Sequence, residues 1–377
     1  MSKPLDIFVW ITGNWKQFHR RLPVESLARL INPDDKLWII DRPIEITTIR
    51  HPSRFFIPFH VSDRNLNILT PKLLLHDQLA YRLSYLEAIN LRLFKHQIMS
   101  LRRSNSYCVH WMMHPSFWPY SKLIEDAYLI YDSYDEYTQT PGRTVPRILK
   151  IYENSLLRRA DLTIVASQIV KQRKEGRARN LKHIPNPTDI DLFVKSRDIL
   201  EQPEDLKRIP EPRVVYVGGI KPLIDFELLK RTVSALPDVS FVFIGALYAN
   251  PNVKELFALP NVYYLGFKSY PELPGYLSGM KVGIIPYQID EYTSMLQPNK
   301  AIEYIAAGLK VVSTRIPGLQ GLFPEHLVFA DSAESFLAKL KQALREDRSF
   351  VHKDVLQQYS WQPYIKTILE DIRTKAN

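Results

Sequence analysis

Short apolar, β-branched segments alternate with longer segments of helical periodicity along the whole chain. Strands are predicted in the first half at residues 6–11, 37–40, 67–69, 107–111, 128–131, 162–165 and 182–184, and in the second half at 214–217, 240–244, 262–265, 282–285 and 311–313. Helices are predicted near 73–103, 225–236, 270–277, 299–307, 332–344 and 361–373. Because strands that alternate with helices form mostly parallel sheets, we expect an α/β protein with doubly wound sheets.

A polar, proline-rich stretch divides this pattern in two. Residues 185–212 contain five prolines, which is typical of a linker. The chain has 377 residues, and a single hydrophobic core rarely grows beyond about 250 to 300 residues. We therefore predict a first domain at 1–190, a linker at 191–212 and a second domain at 213–360, with the cleft between the domains as the default ligand site.

Charge is distributed unevenly between the two halves. The net charge is +10, and residues 1–200 hold 30 basic and 20 acidic side chains, whereas residues 201–377 hold 20 of each. The excess in the first half indicates an anionic partner, for which nucleic acid, a lipid surface and a phosphorylated ligand are the candidates.

Cysteine content and hydropathy limit the compartment. Cys108 is the only cysteine, which excludes an intrachain disulfide and a cysteine-based zinc site. No apolar run approaches the ~18 residues that span a bilayer, and the run at 7–11 is too short for the core of a signal peptide. We expect a cytosolic chain that neither spans a membrane nor is secreted by that route.

Two glycines follow the predicted strand at 214–217. Gly218 and Gly219 precede Lys221 and a helix that begins near Asp225. Glycines at such a position allow the backbone to approach a phosphate, and a helix amino end favours an anion. A plain tight turn is the alternative, and the GxGxxG fingerprint is absent.

A longer pattern extends from residue 286 to residue 314. It contains Gln297-Pro298-Asn299-Lys300 and then Glu303 on the first turn of a predicted helix. Lys300 and Glu303 are three residues apart, so their side chains share one helix face. The carboxylate can accept hydrogen bonds from two ribose hydroxyls, and the lysine can neutralise a diphosphate. The alternative is a helical ion pair worth a few tenths of a kcal/mol.

These segments resemble the GT-B glycosyltransferases, and most closely glycosyltransferase family four and its teichuronic-acid and glucuronosyltransferase-like relatives. Residues 298–314 match the family phrase P-x-K-x-x-E-Y-x-A-x-G-x-x-V-V-S-T almost throughout, and residues 153–166, 184–193 and 360–361 match further family segments. The resemblance implies two Rossmann-like domains facing each other across a cleft. The second would hold a nucleotide sugar and the first an acceptor, with a terminal helix at 361–377 that crosses back to the first domain.

The resemblance also implies roles for individual residues. Glu303 would hold the ribose, Lys300 and Lys221 the diphosphate, and the backbone near Phe267 and Lys268 the base. Further donor contacts would come from Gly218, Gly219, the loop residues Gly13 and Asn14, and Gln297, Pro298 and Asn299. The family also carries a glutamate eight positions before the ribose glutamate, where this chain has Met295, with Glu291 or Gln297 as possible substitutes.

The predicted strand at 128–131 is followed by several carboxylates. A carboxylate at the carboxyl end of a strand can take the proton from an attacking hydroxyl. Asp135 is the candidate base, because it matches an acid in the similar phrase of these transferases; the alternative is that Asp132 or Ser133 caps a helix. His114 is a second candidate, since family members often carry a histidine near the donor sugar, although a lone histidine is usually structural.

Asp189 and Asp191 form a D-x-D pair, but they fall inside a linker phrase, so we expect a structural role. No metal and no cofactor beyond the nucleotide-sugar co-substrate is predicted. Lys300, Lys221 and helix dipoles would supply electrophilic assistance.

Basic residues at 72–103, at Arg20 and Arg21, and at 171–182 could form a cationic face that contacts an anionic membrane peripherally; a solvated surface is the alternative.

The predicted activity is sugar transfer from a nucleotide-diphosphate sugar, either UDP- or GDP-linked, to a glycan or lipid-linked hydroxyl. A nucleotide-sugar epimerase and a non-catalytic nucleotide- or polyanion-binding protein are the alternatives. Nucleic acid is not an expected partner, because no reading motif accompanies the charge. Retention and inversion both remain open.

Overall fold

A computed structural model describes residues 3–12, 15, 21–41, 44–45, 59–63, 66–73, 84–123, 126–139, 145–199, 201–248 and 252–376. The chain divides into two units. The first contains residues 1–166, 170–184 and 364–377, and the second contains residues 167–169 and 185–363.

The first unit is built on a sheet of eight strands among the described residues. In spatial order they are β10 (Leu181–His183), β9 (Leu162–Val165), β8 (Tyr128–Ser133), β7 (Tyr107–Met112), β1 (Leu5–Trp10), β2 (Lys36–Ile40), β5 (Leu66–Thr70) and β4 (Phe59–Asp63). Only β4 is antiparallel to its neighbour. A short parallel pair, β3 (Ile44–Glu45) with β6 (Lys72–Leu73), lies outside this sheet. Every residue of β1 is buried, as expected for a parallel strand covered on both faces.

The described helices of the first unit are α1 (Arg21–Leu30), α2 (Ser84–Met99) and α3 (Arg147–Arg159), with the greater part of α4 (Gln168–Lys174) and of the terminal α13 (Trp361–Ala376). Helix α13 buries Tyr364, Ile365 and Ile368. The Tyr364 hydroxyl donates a 2.7 Å hydrogen bond to Asp132 in β8, and Arg373 forms an ion pair with Asp35 at 2.7 Å. These contacts fasten the end of the chain to the first unit.

The second unit contains a fully parallel six-stranded sheet. Its order is β13 (Val262–Tyr264), β12 (Ser240–Ile244), β11 (Arg213–Val217), β14 (Val282–Ile285), β15 (Lys310–Thr314) and β16 (Leu327–Ala330). The described helices are α5 (Ile190–Val194), α6 (Glu204–Lys207), α7 (Phe226–Ser234), α8 (Asn252–Phe257), α9 (Leu273–Ser278), α10 (Lys300–Ala306), α11 (Ala333–Arg345) and α12 (Lys353–Leu356). Strand order reverses between β11 and β14, and ligands of doubly wound sheets bind at such a switch point.

The α/β class and the parallel sheets predicted from the sequence are confirmed. Residues 185–212, predicted as a linker, contain α5 and α6 and lie in the second unit, where Phe193 and Leu206 are fully buried in the core. Part of the long helix predicted at 73–103 is observed as α2, residues 74–83 lie outside the described part, and Leu73, its predicted first residue, lies in strand β6 instead. Its predicted end is wrong, because Arg103 leaves the helix and forms a 2.6 Å ion pair with the buried Asp6.

Candidate functional site

Two glycines bring the ends of β11 and β12 into close contact. Gly218 and Gly245 have φ angles of 133° and 145°, which favour glycine. A Cβ atom on Gly245 would lie 2.0 Å from the carbonyl oxygen of Gly218. Gly245 is buried by this contact, whereas the backbone of Gly218 is partly exposed and has no side chain of its own to cover it.

The amino group of Lys300 lies above this backbone. Its Nζ atom donates a 2.8 Å hydrogen bond to the Tyr287 hydroxyl and lies 4.0 Å from the ring centroid of Tyr216. A Cβ atom on Gly218 would approach this Nζ to 3.0 Å. Two tyrosines thus hold a partly exposed cation at the switch point of the sheet. Lys221 is exposed, and its Nζ lies 5.2 Å from the ring centroid of Tyr248.

Glu303 lies one turn further along α10 and is 9% exposed. Its Oε1 atom accepts hydrogen bonds from Thr188 at 2.9 Å and from Tyr270 at 3.0 Å. Burial raises the pKa of this carboxyl above its ordinary value, although the two hydroxyl donors and Lys300 oppose the shift. The ammonium of Lys300 hydrogen-bonds to Tyr287, and no ion pair links Lys300 to Glu303 in the described part of the chain.

The loop before α10 contains three of the residues predicted to contact the nucleotide sugar. The Oε1 atom of Gln297 is buried and has no hydrogen-bond partner among the described residues. Pro298 follows it, and the Asn299 side chain donates to the carbonyl of Pro187 at 3.1 Å. Met295, at the position of the missing family glutamate, is 3% exposed. Of the two possible substitutes for that glutamate, Gln297 has an unpaired buried acceptor.

The other predicted donor residues differ in their surroundings. Phe267 is 74% exposed, whereas Lys268 forms a 2.6 Å ion pair with Asp205 that raises the pKa of the lysine. The carbonyl of Gly219 accepts a 3.0 Å hydrogen bond from Tyr216. Gly13 and Asn14 lie outside the described residues.

Candidate catalytic residues of the first unit follow the neighbouring strands β7 and β8. Asp135 accepts a 2.8 Å hydrogen bond from the backbone N–H of Glu136. The Nδ1 atom of His114 accepts from the backbone N–H of Ser116 at 3.1 Å, so its proton lies on Nε2. Burial lowers the pKa of His114 to about 4, which keeps the ring neutral near pH 7. Asp132 and Ser133 lie within β8, so the alternative that they cap a helix is wrong.

Several polar residues of this site were not predicted. Thr188 and Tyr270 hold Glu303, while Tyr216 and Tyr287 hold Lys300. Only Tyr287 had a local signal, because it follows a proline at the end of a strand within the predicted donor pattern. The contacts of the other three join distant segments.

The two aspartates of the D-x-D pair have structural partners. Asp189 caps α5 by accepting from the N–H of Leu192 at 2.9 Å, and Asp191 pairs with Lys353 at 2.6 Å. Across the ranges that the structure covers, no three His, Cys, Asp or Glu side chains form a group suited to a metal ion. None of the described helices is long and apolar enough to cross a bilayer.

Part of the second unit is similar to a family of known proteins. Residues 211–346 match the family Glycosyl transferases group 1. A teichuronic acid biosynthesis glycosyltransferase named TuaH, from Bacillus subtilis strain 168, is 27% identical over 270 residues, and the alignment spans 66% of each chain. The chain therefore matches slightly less than two thirds of that relative's length.

Solved structures match almost the whole chain. Sucrose-phosphate synthase from Thermosynechococcus elongatus superposes with a TM-score of 0.70 at 17% identity, covering 98% of both chains. Anabaena HepE, in complex with UDP and glucose, gives a TM-score of 0.65 at 15% identity, covering 98% of this chain and 99% of that one. These structural matches show that the chain has the GT-B fold, and its second unit carries the group 1 match.

Proposed function

We propose that this chain transfers a sugar from a nucleoside diphosphate sugar, UDP- or GDP-linked, to a hydroxyl of a glycan or lipid-linked acceptor without a metal ion. The observation that carries the proposal is the position of the Lys300 ammonium above Gly218, with Glu303 one helix turn away. A cation over exposed backbone suits a diphosphate, and a neighbouring carboxylate suits vicinal hydroxyls.

The donor would be held by complementary charge and close approach. The partly exposed backbone at Gly218 would allow a phosphate to approach, and Lys300 and Lys221 would provide the positive charge. Charge-assisted hydrogen bonds are about twice as strong as neutral ones. The lysines would therefore stabilise the negative charge that develops on the departing diphosphate. The unpaired Gln297 oxygen would accept from a sugar hydroxyl.

Proton transfer would take place at the first unit. Asp135 would accept the proton of the attacking hydroxyl as general base. Because His114 is neutral with its proton on Nε2, it would donate a hydrogen bond to the donor sugar and would not carry charge. Neither of these proposed roles requires a cofactor.

The names of related proteins support the substrate classes. HepE is described with UDP and glucose, which favours UDP as the nucleotide. TuaH is named for teichuronic acid biosynthesis, which favours an acceptor in the formation of a cell-envelope polysaccharide.

Nucleotide binding tests the donor site. Isothermal titration with uridine, guanosine and thymidine diphosphates should give binding by at least one, and Lys300→Met should weaken it by about 10- to 100-fold, as expected for a lost charged hydrogen bond. Glu303→Gln should also weaken it, and the control Lys341→Met, at an exposed lysine of α11, should have no effect. Absence of binding to all three nucleotides by folded protein would refute the proposal.

We also propose that the first unit contacts an anionic membrane through a cationic surface formed by α3 and by residues 171–179 other than Lys174. Residues 145–180 hold nine Lys and Arg, of which Lys174 alone is buried, against three Asp and Glu. Arg147, Lys150 and Arg158 are exposed on α3, beside Ile151, which is 49% exposed. Exposed cations around a half-exposed apolar side chain suit the headgroup region of a bilayer.

Vesicle flotation tests this surface. The protein should float with phosphatidylglycerol vesicles and remain below phosphatidylcholine vesicles. Replacing Arg147, Lys150 and Arg158 by serine should weaken the interaction on the order of 100-fold, at about 1 kcal/mol for each residue. Serine at the exposed control positions Lys254, Lys341 and Arg345 of the second unit should leave flotation unchanged. Equal flotation with both vesicle types, or with neither, would contradict the proposal.

A further inference from the structure

Lys174, at the end of α4, is almost completely buried. Its side chain is 1% exposed. The Nζ atom donates to Glu153 Oε1 at 2.5 Å and to Ser133 Oγ at 3.0 Å, and lies 3.6 Å from Glu136 Oε2. Lys174 therefore joins the end of β8, helix α3 and the segment after β8. This contradicts the prediction that the whole basic run at 171–182 forms a surface.

Both carboxylates around this lysine are also buried. The side chains of Glu153 and Glu136 are 5% and 6% exposed. Glu153 Oε1 also accepts a 2.8 Å hydrogen bond from the Tyr131 hydroxyl. Although burial raises the pKa of Glu136, Lys174 and Thr138 hold that pKa below its ordinary value, so the carboxylate is ionised at neutral pH. A buried ionic group of this kind is held in one geometry, because breaking it leaves an unpaired charge in the core.

The segment 134–138 is fastened to this network at its centre. Glu136 Oε1 accepts from the backbone N–H of Thr138 at 2.9 Å, and the N–H of Glu136 donates to Asp135 at 2.8 Å. On the other side of Glu136, the Tyr137 ring packs edge-on against His114 with centroids 4.5 Å apart. Both candidate catalytic residues thus depend on the position of Glu136.

We infer that Lys174 is a positioning residue for the transfer reaction, and that it acts through Glu136 to hold Asp135 and the Tyr137–His114 contact in their working geometry. The inference rests on the proposed function, in which Asp135 is the general base. A hydrophobic side chain would fill the same volume without an ionic desolvation cost. The network instead links the interior of the unit to the one segment that carries the candidate base.

A matched pair of substitutions tests the inference. Glu136→Gln retains the size of the side chain and its acceptor for Thr138, but loses the attraction to Lys174. Glu153→Gln likewise replaces a carboxylate that pairs with Lys174, but this residue lies on α3. We expect Glu136→Gln to lower kcat at least 10-fold with an unchanged KM for the donor, and Glu153→Gln to lower Tm while kcat stays within about twofold.

Hydrogen exchange gives a readout that does not depend on turnover. Glu136→Gln should speed amide exchange at 135–138, whereas Glu153→Gln should speed it mainly in α3. Lys174→Arg, which retains the charge, should have a higher kcat than Lys174→Met. If Lys174→Met fails to fold, the comparison of kcat between Glu136→Gln and Glu153→Gln still tests the inference.

Wild-type kcat with Glu136→Gln, or equal kcat losses in the two glutamate variants, would overturn the inference. Failure of the proposed function appears differently. The wild-type protein would then neither bind nucleotide nor transfer sugar, and Asp135→Asn with full turnover would remove the base assignment whatever Glu136→Gln does.

Discussion

The carboxyl ends of the two sheets differ in how they place charge. In the second unit, β11 and β12 end in glycines, and the cation of Lys300 is partly exposed between two tyrosine rings. In the first unit, the cation beyond β8 is Lys174, which is buried between two carboxylates. The difference indicates that the two lysines have different roles. A partly exposed cation beside glycine backbone is suited to receive an anion, whereas a buried, fully paired cation is suited to hold a segment still.

The largest expected difference is in stability. Lys174→Met should lower the free energy of unfolding by about 3 to 5 kcal/mol, because it leaves two buried carboxylates without their cation. Lys300→Met should change it by less than about 1 kcal/mol, because that ammonium is partly exposed and forms no ion pair with the buried Glu303 carboxylate. Urea denaturation of the two variants measures both values. Equal losses would remove the distinction between a binding lysine and a positioning lysine.

The second expected difference is in turnover. Asp135→Asn should lower kcat by about 10²- to 10⁴-fold, the usual contribution of a general base. Because Asp135 belongs to the first unit and the nucleotide site to the second, UDP affinity should remain unchanged. Steady-state kinetics with titration calorimetry measures both quantities. If Asp135→Asn lost UDP affinity in parallel with kcat, the carboxyl ends of the two sheets would not act separately.

The smallest expected effect is on the pH dependence of stability. His114 has a pKa of about 4 in the folded chain, against an ordinary value near 6.5. Between these values the unfolded chain binds a proton that the folded chain does not, so stability should fall as pH falls from about 6.5 to 4. The buried His110, with a pKa of about 3, contributes in the same direction and extends the loss of stability to still lower pH.

Thermal unfolding across this pH range tests the assignment. His114→Gln should make the decline shallower by about 1 to 3 kcal/mol between pH 6.5 and pH 4. The exposed control His352→Gln should follow the wild-type profile. An unchanged slope in His114→Gln would mean that this histidine is protonated equally in the folded and unfolded chains.

Local patterns predicted most of the sheets. Each strand predicted from apolar runs is present within two residues of its predicted bounds, and central strands such as β1 and β8 are buried on both faces. β3, β4, β6 and β16 were not predicted, and β3 and β6 contain only two residues each. β4, an antiparallel edge strand, is polar in part, and β16 is a four-residue strand between turn residues.

The placement of Lys300 and Glu303 one turn apart on a helix could be predicted, because helical spacing within one contiguous phrase fixes it. The partners of these residues could not, because Thr188 and Tyr270 meet Glu303 only through the tertiary fold. Lys174 shows the same limit. Within a run of basic residues it resembles its exposed neighbours, and only the packing of α4 against β8 and α3 shows that it is buried.

A crystal structure of this protein with UDP or GDP bound, whichever binds more tightly, tests the proposed donor site most directly. We expect diphosphate oxygens within hydrogen-bond distance of the Lys300 ammonium and the backbone at Gly218, with the ribose hydroxyls on Glu303. A nucleotide bound away from these three residues would contradict the proposal.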